Sequence, residues 1–169
     1  MMEWVPKNIR LLHDFWTGLA GGQVPERAQF GIENVRGLLP YLMLSDFDFS
    51  PFRVRFRLSG TAVDEMTGVN LTGRYLDEFA TGAYATSVTE MIGYYEEASQ
   101  TGRPRIWSYP WVGSNPKLPV IWAGLFPLKK DGRICQCISI EDYTEFDGRR
   151  DEVRREQATA DWARLSKRS

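Results

Sequence analysis

Apolar residues recur every three or four positions at the start of the chain: Ile9, Leu12, Phe15, Trp16 and Leu19. That spacing predicts an amphipathic helix over residues 7–20, stopped by Gly21-Gly22. The stretch VPERAQF reads as a linker, and residues 31–38 as a short helix or turn ending at Pro40. The period then changes. YLMLSDFDF, residues 41–49, predicts a strand, SP marks a turn, and FRVRFRLSG, residues 52–60, predicts the hairpin partner. Phe52, Val54, Phe56 and Leu58 alternate with Arg53, Arg55 and Arg57, so the two rows are expected on opposite faces. Asp46 and Asp48, also two apart, are expected to face the arginines, at about 0.2–1 kcal/mol per cross-strand pair. The arginine row therefore reads as a solvated, partly neutralised sheet face.

Gly60 and Gly68 bracket a short helix over residues 61–67. Gly60 is expected to free the backbone as the strand ends, and Thr61 to cap the helix. Asp64 or Glu65 in the first turn suits the positive end of the helix dipole. Gly68 and Gly73 fit turns that need a positive φ. Thr72-Gly73 starts another turn or short helix carrying Tyr75, Leu76 and Phe79. A long helix over residues 83–101 follows, with Tyr84, Val88, Met91, Ile92, Tyr95 and Ala98 as its stripe and Gly102 as its C-terminal cap.

Three strands come next, at residues 105–113, 118–129 and 132–144. Pro110 marks an edge or bulge in the first, and a KKDG turn joins the last two. Residues 147–168 predict a polar helix with a thin apolar side. The order predicts an α+β architecture: a five-stranded antiparallel sheet with helices over one face, flanked by N- and C-terminal helices. The domain reading is a flanking helix and linker over residues 1–30, a core over 31–146 and a C-terminal helix over 147–169.

Composition narrows the function. The chain has 169 residues, enough for one domain with a sizeable core. Lys plus Arg is 21 against 22 for Asp plus Glu, which disfavours a nucleic-acid binder needing a basic excess. No apolar run reaches the length of about 18 residues that a membrane span needs. The opening segment carries charges inside its apolar pattern and has no small-residue cleavage site, so a cytoplasmic location is expected. Cys135 and Cys137 sit two apart on a predicted strand, about 6.5 Å from each other, and read as small core residues. Aromatic residues make up 13%, including six tryptophans, which suits a thick core or a cavity gripping an apolar or planar ligand.

The element order resembles a PAS domain. Residues 38–79 in particular resemble a group of small, stand-alone bacterial PAS-like proteins with the pattern RxRLxGTAxxExxGxxLTGxxLDE after a leucine-proline and a strand aspartate. The matching residues here are Leu39, Pro40, Asp46, Arg55, Arg57, Leu58, Gly60, Thr61, Ala62, Glu65, Gly68, Leu71, Thr72, Gly73, Leu76 and Asp77. The opening LLHDFWTGLAGGQVPERAQF is similar to that group's start, and the resemblance spans residues 2–145. It implies a sensor: a ligand between sheet and helices, with flanking helices that dimerise or transmit.

The residues name no cofactor. A flavin photosensor of the class would form its adduct on a cysteine in the helical middle, whereas both cysteines here lie on a late strand. A haem sensor would need an axial histidine on a middle helix, and His13, the one histidine, lies in the first helix. One histidine and two cysteines at this spacing make a poor zinc set. No Walker-type loop or dinucleotide glycine pattern is present, and a nucleophile–base pair would have to use His13.

The leading reading is thus a non-enzymatic sensory or regulatory protein that binds an unknown small molecule. With no output domain in this sequence, it is expected to signal through association, as a homodimer or with a regulatory protein. The candidate pocket residues are Phe56, Leu58, Tyr75, Trp107, Tyr109, Trp111 and Trp122. Trp162 and Leu165 are candidate partner anchors on the last helix. The alternatives are an interaction module with a filled core, or a small cone-fold enzyme using a cavity carboxylate, for which Asp46 is the strand aspartate to nominate.

Overall fold

The computed structural model describes residues 5–110 and 120–142. Its strands are β1 (Leu42–Asp48), β2 (Arg53–Ser59), β3 (Arg105–Pro110), β4 (Val120–Lys130) and β5 (Arg133–Asp142). They form one antiparallel sheet in the order β2-β1-β5-β4-β3. The first two strands and the last three meet where β1 pairs with β5, Leu44 opposite Ile138. The helices are α1 (Lys7–Leu19), α2 (Thr61–Thr67) and α3 (Ala85–Thr101), with 3-10 turns at Arg27–Gln29, Ile32–Tyr41, Leu76–Phe79 and Gly82–Tyr84.

Alternation along the strands divides the apolar side chains between two layers. One face carries Met43, Phe47, Val54, Phe56, Trp107, Tyr109, Ile121, Ala123, Leu125 and Cys137, under α2, Leu76–Phe79 and α3. The other carries Leu42, Phe126, Leu128, Ile138 and Ile140, under α1 and the Ile32–Tyr41 segment. Helix α1 buries the stripe Ile9, Leu12 and Trp16, each removing roughly 1.5–3 kcal/mol of apolar surface cost from water. The Trp16 indole Nε1 donates to the Pro127 carbonyl at 2.8 Å, which satisfies the polar atom that this large ring takes into the core. The N-terminal flank is therefore a packed second layer.

Two expectations about the hairpin change. Leu58 was expected to share a face with Val54 and Phe56, yet it is 47% exposed. The register explains it: Leu44 lies opposite Leu58, but Ser45 lies opposite Phe56, so Arg57 is an extra residue on β2. A bulge of this kind reverses the alternation beyond it. Leu58 turns to the α1 face, beside Leu39, Leu42, Leu44 and Ile138. Gly60 has an ordinary φ of −69° and is itself the N-cap of α2, with Thr61 inside the helix. Glycine is needed there for close approach: a Cβ would lie 2.2 Å from the Pro40 carbonyl oxygen and 2.5 Å from that of Leu39. Gly102, by contrast, caps α3 with φ +67° and returns its N–H to the Ala98 carbonyl, as its position predicts.

Arg55 and Arg57 meet Asp46 on the face of the sheet away from the cavity side, whereas Arg53 turns to the helical middle. Arg55 and Arg57 each reach Asp46 Oδ2 at 3.3 Å, and Gln136 Nε2 donates to Asp46 Oδ1 at 2.7 Å. Asp48 stands opposite Arg53 in register, but Arg53 turns to Asp77 with two hydrogen bonds of 2.7 and 2.8 Å. These hydrogen bonds hold the Asp77 carboxyl below its ordinary pKa. The predicted helix at 147–168 lies outside the described residues.

The bulge gives neighbouring positions unequal weight. Phe56→Ala is expected to lower stability by about 3–5 kcal/mol and Leu58→Ala by about 1 kcal/mol or less, read by urea unfolding. Equal losses would contradict the reversed alternation. Gly60→Ala is expected to lose roughly 1–3 kcal/mol through overpacking against two backbone carbonyls.

Candidate functional site

The side chains that β5 turns toward α3 are small or polar at one end of the strand: Cys137, Ser139 and then Glu141, while Ile138 and Ile140 face α1. Beside them β4 contributes Ala123 and Leu125, and β3 contributes Trp107 and Tyr109. Register places Ala123 between Trp107 on one side and Glu141 on the other. A row of Ala123 and Ser139 leaves space that α3 does not fill. The result is a cavity of about 390 Å3.

Its floor is the sheet, with Met43 and Phe56 at the side of the hairpin. Its roof is Met66, Leu71, Leu76, Phe79, Val88 and Met91, from α2, α3 and the chain between them. The α3 residues are those of its predicted stripe, so the period that makes α3 a helix also aims it at the cavity. Glu78, Thr81, Tyr84 and Ser87, all exposed, complete the lining where the roof meets solvent.

Two buried hydrogen bonds break the apolar surface. Tyr95, on α3, donates from its hydroxyl to Ser139 Oγ at 3.1 Å. Tyr109 donates to Glu141 Oε1 at 2.6 Å. Glu141 is 7% exposed. Burial pushes its carboxyl above the ordinary range, and the Tyr109 hydrogen bond pulls the other way. Tyr109 is raised by its own burial and then by the neighbouring Glu141 charge, and Tyr95 by burial first. Burial likewise raises the Cys137 thiol, so this cysteine is a core residue with little thiolate character. Chemically, the site offers an apolar chamber with a hydrogen-bonding carboxyl and one phenol on its floor, and a second phenol reaching from α3 to Ser139.

Of the pocket candidates, Phe56, Trp107 and Tyr109 come together on the cavity wall. Leu58 does not, for the bulge places it on the opposite face. Tyr75 lies outside the lining: the Arg53 guanidinium sits 3.7 Å from its ring centroid, and its hydroxyl donates to Asp48 Oδ2 at 2.7 Å. Trp122 pairs with Ser108, between Trp107 and Tyr109, and so packs in the α1 layer. Trp111, Trp162 and Leu165 lie outside the described residues. Asp46 is held on the far face by Arg55, Arg57 and Gln136. The buried carboxylate of the cavity is Glu141, which the sequence reading missed. The alternation of Cys137, Ser139 and Glu141 against Ile138 and Ile140 was the available signal.

His13 lies on α1, across the sheet from the cavity, with Nδ1 3.3 Å from Asp14 Oδ1 and its ring against Phe126. Cys135 and Cys137 are both free thiols. Among the described residues no group of three or more His, Cys, Asp or Glu side chains is placed to hold a metal ion. Nor is any helix among them long and apolar enough to cross a membrane.

A family model described as PAS domain matches residues 5–102. No curated protein matches the chain. Similar solved structures include the PAS domain of histidine kinase ThkA, at 12% identity and a TM-score of 0.43, with 59% of this chain and 95% of that chain covered. Another is a structure described as a flavin analogue shedding light on light-oxygen-voltage domain mechanism, at 14% identity and a TM-score of 0.46, with 75% and 93% covered.

The buried carboxyl gives a pH signature. The unfolded chain releases the Glu141 proton near 4.5, while the folded protein holds it to higher pH. Between those points the folded state binds more protons, so this group's contribution to stability falls as pH rises through the window. Glu141→Gln keeps an acceptor for Tyr109 and has no proton to lose. The variant's melting temperature is expected to gain on the wild type as pH rises from about 4.5 and then level off, at roughly 2–4 °C per kcal/mol. A gap independent of pH would contradict the burial of an uncompensated carboxyl.

Proposed function

The chain belongs to the PAS domain family, and on that premise we propose that it is a non-enzymatic sensory or regulatory module that binds a small molecule between its sheet and its helices. The observation that carries this reading is the 390 Å3 cavity, at the small end of the range of about 300–1,000 Å3 for ligand pockets. Such a site needs a mostly apolar lining and a few converging polar groups. The Tyr95–Ser139 and Tyr109–Glu141 pairs are groups of that kind, set among Met43, Phe56, Trp107 and Leu125. Phe56, Trp107 and Tyr109 are the residues we assign to ligand contact.

The roof is the element through which occupancy would be felt. Three methionines line the cavity, two of them on α2 and α3, and unbranched thioether chains repack around different shapes at low cost. A ligand that fills the space would favour one placement of α2 and α3 over others, which is a population shift with a structural lever. We assign the output to association, as a homodimer or with a regulatory protein in the cytoplasm. The sparse apolar side of the sequence at 147–168, with Trp162 and Leu165, is the proposed contact.

A catalytic reading has one specific observation in its favour. Glu141 is a carboxyl with a raised pKa on the wall of an apolar cavity, the environment used for general acids and bases. Its partner, however, is a phenol that is itself pushed up, so it keeps its proton near neutral pH and supplies no second acid–base group. Binding is the reading that uses the whole cavity.

Native mass spectrometry of protein from its own host, together with a fragment screen by thermal shift, tests the binding reading. A retained small molecule, or a hit that raises the melting temperature, is expected. A ligand at 100 times its Kd should stabilise by about 2.7 kcal/mol. Ala123→Leu, which builds into the cavity, should abolish that shift while the protein stays folded. Protein that arrives empty, with no hit, or a hit indifferent to Ala123→Leu, would overturn the reading.

A further inference from the structure

We propose that the molecule this cavity takes is an apolar amine, a ring or short alkyl body with one ammonium head seated at Glu141. The proposal rests on the reading of the cavity as a ligand site and adds the chemistry of the head group. Charge is the first argument. Among the described residues that line the cavity there is no Lys, Arg or His, and there are two carboxyls, Glu78 and Glu141. Glu78 is already matched, for Arg74 Nε donates to its Oε2 at 2.7 Å. Glu141 has a hydroxyl for a partner and no cation in any ion pair among the described residues. An anionic head would meet no compensating charge there.

The surroundings of Glu141 decide between a neutral and a cationic head. A carboxylate taken out of water without a cation is costly, so these surroundings by themselves favour the neutral acid. Its raised pKa agrees with that placement. An ammonium at hydrogen-bond distance offsets the cost of ionising it, and a neutral hydroxyl or carbonyl does not. The aromatic lining adds to the preference. Phe56, Tyr95, Trp107 and Tyr109 line the same cavity, and an aromatic ring attracts a cation by about 2 kcal/mol where water is excluded. Met43, Leu125, Val88 and Met91 give the wall beyond this head group apolar surface that suits a hydrocarbon body. A cavity of about 390 Å3 suits one ring and a short chain.

The test is isothermal titration calorimetry on the full chain with three probes of matched size: 2-phenylethylamine, 2-phenylethanol and phenylacetate. The amine is expected to bind at least about tenfold more tightly than the alcohol, a difference near 1.4 kcal/mol, with no binding of the acid. Glu141→Gln is expected to remove the amine's advantage and to leave the alcohol's affinity in place. An alcohol that binds as tightly as the amine, or an amine preference that survives Glu141→Gln, overturns the proposal and leaves the cavity standing as a ligand site. Failure of all three probes also overturns it; a neutral fragment whose binding is abolished by Ala123→Leu would then keep the cavity reading alone. The wild-type ratio is a sufficient test if the Glu141→Gln variant does not fold.

Discussion

Strand β5 is buried on both faces, from Gln136 to Asp142, and the rest of the structure follows from that constraint. A central strand covered twice cannot spend alternate positions on water. Its two rows must each suit a different layer. Ile138 and Ile140 are bulky and β-branched and meet α1 and Phe126 in a filled layer. Cys137, Ser139 and Glu141 are smaller or polar and meet α3 in a layer that is not filled. One strand thus specifies a packed core below and a chamber above. Its neighbours repeat the choice: β4 sends Phe126 and Leu128 down and Ala123 up.

The difference between the layers also assigns them different work. The α1 layer has a tryptophan anchored to the Pro127 carbonyl, and the void beside Leu39, Leu42 and Ile138 is about 20 Å3; an open groove of about 430 Å3 runs at the edge of this face, along Glu26, Arg27, Leu44 and Gln136. Dense packing of that kind has low compressibility and holds one arrangement. The α3 layer has methionines in its roof and two phenols hydrogen-bonded to β5, so its side chains are positioned around a cavity. The sheet separates a packed side from a side with a cavity.

Much of the fold was legible from period and punctuation. Helices α1 and α2, the αL cap at Gly102 and the β4–β5 turn fall where spacing and glycine place them, because each is decided within a few residues. Facing was harder, because it depends on register between distant strands. Leu58 was misplaced because one extra residue at Arg57 reverses the alternation, and nothing local in RVRFRLS marks the bulge. Trp122 was misplaced because its face is fixed by pairing with Ser108, fourteen positions earlier in the chain. Tyr75 looked like an aromatic for the core, but Arg53 and Asp48 hold it outside. Glu141 escaped notice for the opposite reason. A carboxylate near the end of a strand reads as surface, and its burial appears only once Tyr109 is brought across the sheet to meet it.

The two layers differ in how completely side chains fill them, and a crystal pressurised with xenon reads that difference directly. Apolar voids of this kind take up xenon, whereas filled cores do not. Xenon is expected between α3 and the sheet, within contact of Trp107, Met91 and Leu125, and absent from the layer between α1 and Phe126. A helical layer that takes up no xenon, or xenon lodged under α1 instead, would contradict the division on which the site and its proposed ligand both depend.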